Sequence, residues 1–568
     1  MKKAELQNAF SEDGSLPFEL REHEVSRWVS DLPVTDIQRC CGLVLPTLKV
    51  LNRQPMPAIA RFETLEELRP LIFLLSKKLE SQFIGAHFPL EKTTYECTHN
   101  YIEFHRELAH GYELVCLDRS FADPIHFNDL LRARTLHRAL QSFTLVLVQQ
   151  GLLYQTRSFD SWSKVYAIYS RAEQYGIEKV RVKDGETGTE SNVGDVFKSI
   201  LLFALSETAQ YQHHDILRIY KFFSQFSRYV VIRTAGCKAD ENIASHYFKL
   251  DSGEPPGRLV DGKTVGDNRV YRYLSIQPMI QLIGEHLLSS TASNKTLASN
   301  ALPEAAILSR VVHRIESLKK RNFTRLPETA EYKLVFGLDH LIAVFTNQIK
   351  VGVQPEKPNA TFEFDDVNDG DRSNRDLPVA MNESPIRVNE KDVSNENANH
   401  KASQLENFVH VYKGSNTSAT GYCLTYSENS SAKIKVGDLV GIYEKESEIN
   451  TGLICWLEYP NDGVLSFGIK LLSPKAKAVG IGVLKFEDIE NTETPLSQFV
   501  DANALFLPAI PATKKPISLL TLPLIYEVGN WIVVKIKNQN KIYRLKSLLD
   551  SSSAVSHFEL IEFNGKSH

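Results

Sequence analysis

The chain has 568 residues, 42% of them hydrophobic and 24% charged, with a formal net charge of −4. That composition excludes a mostly disordered, collagen-like or fibrous chain and supplies apolar material for about three or four domains. The acidic balance opposes a surface that attracts nucleic acid or anionic lipid throughout, so any positive charge that matters must be local.

The opening residues, MKKAELQNAFSEDGS, lack an apolar stretch behind their two lysines. The greasiest runs, 145–153 and 201–205, are too short to span a bilayer. Cys40, Cys41, Cys97, Cys116, Cys237, Cys423 and Cys455 show no Cys-x-x-Cys spacing and read as buried free thiols of a reducing compartment. A cytoplasmic protein without a membrane span is expected.

Up to residue 235 the apolar residues follow a helical period. Within 58–84, Leu65, Leu68, Leu71, Ile72 and Leu75 recur at three- and four-residue intervals, and similar stripes occupy 36–52, 93–117, 129–154, 161–176, 194–211 and 214–232. Short joints containing Gly151 or Gly176 predict antiparallel neighbours. Trp162, Val165, Tyr166, Tyr169 and Ala172 alternate as in a tetratricopeptide repeat, but no fixed period continues. Residues 1–235 are therefore expected to form an α-helical bundle or short α-solenoid.

Residues 236–305 read as a connection. Gly253, Pro255, Pro256, Gly257, Gly262 and Gly266 punctuate a β-excursion over 242–277, and helical patterning returns at 279–289 and 304–319. From Tyr332 short strands are expected at 332–336, 340–346, 407–412, 421–426, 438–443, 451–458 and 464–471, with Asn461-Asp462-Gly463 as a hairpin turn. This spacing predicts a small antiparallel barrel over 306–487. The stretch 354–404, rich in Asn, Asp and Glu and carrying four prolines, reads as a disordered acidic insertion. Residues 488–568, with Trp531-Ile-Val-Val-Lys-Ile-Lys537, form a further β-domain or an extension of the barrel. The fold class is thus α+β multidomain.

Phosphate-loop, dinucleotide-fold, nucleophile-elbow and His-Glu-x-x-His signatures are absent from the sequence, and no catalytic residue is assigned. His99, His105 and His110, near Glu103 and Glu107, do not stack on one helical face and read as solvated or half-buried side chains rather than metal ligands. His213-His214-Asp215 reads as a polar joint with an N-cap acid. No metal or cofactor is expected.

One constellation stands out beside the β-region. Arg321-Asn-Phe-Thr-Arg325 follows Lys319 and Lys320 and precedes the first strands, and Asn416-Thr-Ser418-Ala-Thr-Gly421 leads into Tyr422-Cys-Leu-Thr-Tyr426. Here the sequence resembles the PilZ domain, a bacterial β-barrel that binds the second messenger cyclic di-GMP. That family is marked by Arg-x-x-x-Arg before the barrel and Asp/Asn-x-Ser-x-x-Gly on an early strand. Val436-Gly-Asp-Leu-Val440, Gly452-Leu-Ile-Cys-Trp456 and Phe467-Gly-Ile-Lys-Leu471 resemble its later strands in order, so the likeness covers 310–350 and 405–487.

The resemblance implies that Arg321 and Arg325 hold phosphate and guanine, that Asn416 and Ser418 hold the base, and that Gly421 allows close approach. The residue types suit that ligand. Arginine offers a planar, permanently charged fork, and amide and hydroxyl groups at alternate strand positions share one face. The long insertion between the motifs adds only about 0.6 kcal/mol per doubling of loop length. Arg387-x-x-x-Lys391 inside it is a poorer rival pair. The same spacing at Arg134/Arg138 and Arg310/Arg314 reads as solvated helix faces. A non-ligand reading has Arg321 and Arg325 favouring a helix dipole and Asn416–Gly421 forming a polar turn.

The function expected is a signalling effector that binds cyclic di-GMP without chemistry, the ligand changing how helical domain and barrel pack. The alternative is a non-catalytic scaffold whose helical half engages a protein partner. A single-stranded nucleic-acid binder stacking bases on Tyr412, Tyr422 and Tyr426 is a third reading, opposed by the acidic charge.

Overall fold

The computed structural model describes residues 16–155, 159–234, 246–258, 270–292, 305–316, 325–346, 409–426, 432–445, 448–460, 464–485, 500–511, 514–523, 525–536 and 539–563. Helices α1 (Glu22–Asp31), α2 (Ile37–Arg53), α3 (Ala58–Glu80), α4 (Lys92–Leu117), α5 (Asp129–Leu152) and α6 (Trp162–Tyr175) come first. A hairpin, β1 (Val182–Asp184) and β2 (Thr189–Ser191), then precedes α7 (Val193–Leu205) and α8 (His213–Phe226). Local chemistry sets several starts: Asp36, Asn128 and Asn192 each accept an amide of the first turn, and Gly176 ends α6 in the left-handed region. The α5 helix is buried along almost its whole length, with α4 on one side and α7 on another, so it forms the axis of the helical domain. Both α1 and the β1–β2 hairpin lie outside the elements expected from periodicity.

The β-excursion is a four-stranded antiparallel sheet of β3 (Val231–Thr234), β4 (His246–Lys249), β5 (Gly257–Arg258) and β6 (Tyr271–Ser275), in the order β3-β6-β4-β5. Phe248 of β4 stacks on Tyr166 of α6 with centroids 5.6 Å apart, which docks this sheet on the helical domain. Helices α9 (Gln277–Ala292) and α10 (Ala305–Glu316) follow.

The first barrel is built from β7 (Leu326–Pro327), β8 (Glu331–Phe336), helix α11 (Leu338–Phe345), β9 (Val409–Ser418), β10 (Gly421–Thr425), β11 (Leu439–Lys445), β12 (Glu448–Glu458) and β13 (Ser466–Ser473). Six antiparallel strands run β10-β13-β12-β11-β8-β9, and β9 closes the ring on β10 while β7 adds to its outer end. The strand expected at 340–346 is instead α11. Gly337, at φ 91°, breaks β8, and Leu338, Leu341 and Val344 then bury one helical face; a short apolar run with β-branched residues carries no clear period. The acidic insertion 354–404 and the Asn461-Asp462-Gly463 turn lie outside the described residues.

The C-terminal part is a second closed barrel of β14 (Lys477–Leu484), β15 (Ala502–Leu507), β16 (Ser518–Thr521), β17 (Trp531–Ile536), β18 (Gln539–Ser551) and β19 (Ser556–Glu562), ordered β14-β15-β16-β19-β18-β17. Its first strand, β14, is one that spacing alone groups with the barrel before it.

Packing joins the three parts. Phe88 exchanges two backbone hydrogen bonds with Ile434, and both side chains are fully buried where the helical domain meets the first barrel. Their apolar residues form one continuous core. Between the barrels, α11 brings Leu338 and Leu341 into a cluster with Leu439, Leu505, Leu507 and Leu520. Among the described residues no helix is long and apolar enough to cross a membrane.

Candidate functional site: a cleft walled by all three parts

The short strand β7 decides what Arg325 can reach. Leu326 pairs with Thr417 and Pro327 with Asn416, so continuing this antiparallel register sets Arg325 opposite Ser418. Ninety-odd positions of sequence separate them, yet one ladder joins them. Arg325 is exposed, and its charge reaches the half-buried Cys423 thiol, which burial pushes up while Arg325 pulls it down.

Asn416, Ser418 and Gly421 line the same cleft as Arg325, a cavity of about 550 Å³. Asn416 and Ser418 sit two apart on β9 and so share a face, as alternation requires. The Ser418 hydroxyl donates to the Gly421 carbonyl at 3.3 Å. Gly421 has a structural reason of its own: a Cβ there would sit 2.1 Å from the Ile469 carbonyl oxygen of β13. The close approach it permits is therefore between strands. Arg321, the remaining residue of the expected set, lies outside the described residues.

The cleft also has walls that the motifs do not announce. Helix α10 buries Ile307, Leu308, Val311 and Ile315 and turns Arg310 and Arg314, one turn apart, toward the cleft. Arg310 is exposed, as a solvated face requires, whereas Arg314 is largely covered, and both have partners. Arg310 lies over the Tyr211 ring, 5.2 Å from its centroid, and Arg314 pairs with Glu207 at 2.6 Å. Their charge counters the upward push of burial on the Tyr211 hydroxyl. The second barrel contributes the turn around Ser552, whose hydroxyl donates to the Gly437 carbonyl at 2.8 Å. Gly437, at φ 91°, marks the meeting point: a Cβ would lie 2.4 Å from the Gln212 amide nitrogen and 2.6 Å from the Ser552 Cβ.

Four cationic side chains, Arg310, Arg314, Arg325 and Lys470, line this cleft against the carboxylates of Asp215 and Asp550. A locally positive cleft in an acidic chain selects for an anion. Trp456 adds a flat, half-buried aromatic surface to the wall.

Other candidates resolve differently. Arg138, expected on a solvated face, is 4% exposed and sits 3.3 Å from Glu66 and 3.4 Å from Asp184. His105 is fully buried between the Phe73 and Tyr101 rings, and burial with the nearby Arg69 charge lowers its pKa to about 3. His213 is no polar joint: it is buried against Phe88 and Tyr154, and its Nδ1 accepts the Gly85 amide. Gln212, not Asp215, occupies the N-cap position of α8. Tyr412 is fully buried inside the first barrel and Tyr422 is 8% exposed, so neither offers a surface for stacking bases. Among the described residues no three His, Cys, Asp or Glu side chains converge as a metal site.

Comparison with known proteins agrees with this architecture part by part. Residues 23–236 match the N-terminal domain of the cyclic-di-GMP receptor FimW, residues 263–478 its middle PilZ domain, and residues 489–562 its C-terminal β-barrel domain. The three matches follow one another along the chain in the order helical domain, PilZ domain and C-terminal barrel. The curated cyclic-di-GMP receptor FimW of Pseudomonas aeruginosa is 22% identical over 563 residues, covering 94% of this chain and 90% of the relative. No solved structure matches the chain.

Proposed function

We propose that the chain is a cyclic di-GMP receptor whose ligand occupies the three-walled cleft. The observation that carries this reading is the β7–β9 pairing, which sets Arg325 beside Asn416 and Ser418 in one positive cavity. Its volume of about 550 Å³ lies within the ordinary range for small-molecule sites. A cyclic purine dinucleotide presents two phosphodiesters and two flat bases. Arg325, with Arg321, pairs with phosphate and the guanine edge, and Asn416 and Ser418 complete the edge contacts. The ligand also shifts how the helical domain packs on the first barrel, since both wall the cleft.

Isothermal titration of the full chain with cyclic di-GMP tests this. Saturable binding is expected, weakened about 10- to 100-fold by Arg325→Ala, the range for loss of one charge-assisted contact. Limited proteolysis around 300–330 should become slower when ligand is added. Absence of binding by folded wild-type protein would overturn the reading, and unchanged cleavage would remove its conformational part.

A further inference from the structure

We propose that Arg310 and Arg314 of α10 form a second anion-binding pair in the cleft and take a phosphodiester of the bound cyclic dinucleotide. This rests on the cleft being the ligand site.

Both side chains line the cavity that holds Arg325, Asn416 and Ser418, although they arise from a different element. Each is held in a way that presents a guanidinium. Arg310 rests one face on the Tyr211 ring and is otherwise exposed, so its edge and opposite face are open to an anion or a planar base. Arg314 is only 17% exposed and is oriented by Glu207 at 2.6 Å. Glu207 itself adopts φ 52°, a left-handed conformation uncommon outside glycine, in the short link between α7 and α8. Arg258 of β5 donates to the Arg314 carbonyl and ties the end of α10 to the small sheet.

Glu207 therefore occupies Arg314 as an internal anion. A phosphodiester entering the cleft competes with that carboxylate for the same fork, and the exchange is charge for charge. Ligand binding thus breaks a link between the helical domain and α10. The pair provides a second point of attachment, apart from Arg325, for a ligand with two phosphates.

The test titrates cyclic di-GMP into wild type, Arg325→Ala, Arg310→Ala, Arg314→Ala and Glu207→Gln, each checked for an unchanged circular dichroism spectrum. Arg310→Ala and Arg314→Ala are each expected to weaken binding at least fivefold, and Glu207→Gln to tighten it at least threefold by freeing Arg314. Arg314→Ala and Glu207→Gln break the same ion pair, so a merely structural role would move both in one direction. Two outcomes overturn the inference alone: wild-type affinity in both arginine variants while Arg325→Ala binds weakly, or weakening by Glu207→Gln as by Arg314→Ala. No binding by wild type would overturn the receptor reading itself, and with it this pair.

Discussion

In the helical domain Arg69 and Arg138, at 3% and 4% exposure, enclose the carboxylate of Asp184; in the cleft Arg310 and Arg325 stand open to solvent. The closed cluster pairs its charges internally. Arg69 grips Asp184 with two contacts of 2.9 Å, Gln141 donates to the same carboxylate at 2.6 Å, and Arg138 reaches both Asp184 and Glu66. Burial alone would raise the Asp184 carboxyl, but the hydrogen bonds and charges of the two arginines outweigh it and hold it well below the usual range. The cleft has the opposite balance, with cations exceeding carboxylates. Arg138, Arg314 and Arg325 each end an Arg-x-x-x-Arg pentad. The first became part of a core, the second a tethered wall and the third an open contact, because the carboxylates around them differ.

The strongest way to break this contrast is to open the closed cluster. Asp184→Ala leaves two guanidinium groups buried without their shared carboxylate, and loss of about 3–5 kcal/mol of stability is expected. Calorimetric melting of the full chain reads it as a fall in the transition of the helical domain. Arg325→Ala, lying in the open cleft, should move the melting profile by less than about 0.5 kcal/mol. Equal melting of the two variants would mean that the buried cluster is no more structural than the cleft.

A smaller effect is expected where the three parts touch. Gly437→Ala places a side chain at φ 91° and drives it against Gln212 and Ser552. The expected loss is about 1–3 kcal/mol, from backbone strain plus displacement of those neighbours. Hydrogen exchange should rise in the segments around 208–212 and 550–555 and stay unchanged in α5. Protection that falls everywhere, or nowhere, would show that the junction is not a local element separate from the helical core.

Much of this was legible in the sequence. The amphipathic stripes located most helices because their apolar period survives burial on one face. Asn416-x-Ser418-x-x-Gly421 and the strands after it were legible because alternation and a short motif are local properties. Helix α11 was not, since Leu338 to Phe345 offers only two turns of apolar residues. Arg310 and Arg314 read as a solvated face for a related reason. Their spacing says only that they share a helical face, whereas their role depends on Glu207 and Tyr211, about a hundred positions away. Which carboxylate meets which arginine is a tertiary fact.

The last prediction sharpens the contrast at a single carboxylate. Asp438, near Tyr154 at the seam between the helical domain and the first barrel, has a lysine beside it where Asp184 has two arginines. Burial raises its pKa to about 6, and the Lys435 amide, 2.8 Å from the carboxylate, with the Lys435 charge, only partly offsets this. A raised folded-state value means that the folded chain holds this proton more tightly than the unfolded one, whose reference is 3.8. Stability from this group is therefore present at acid pH, falls between about pH 4 and 6, and stays low above that range. Asp184 has the opposite slope, its contribution being lost as pH falls below the usual carboxylate range. Asp438→Asn retains an oxygen to accept the Lys435 amide and removes the buried charge. Discounted for partial exposure, it should stabilise the chain by about 1–2 kcal/mol at pH 7.5 and by about a third as much near pH 4.5. Melting curves of variant and wild type at the two pH values measure the difference directly, with the Asp184 contribution cancelling in each pair. A gain of equal size at both pH values would show that the substitution acts by packing, and that the seam carries this carboxylate at no electrostatic cost.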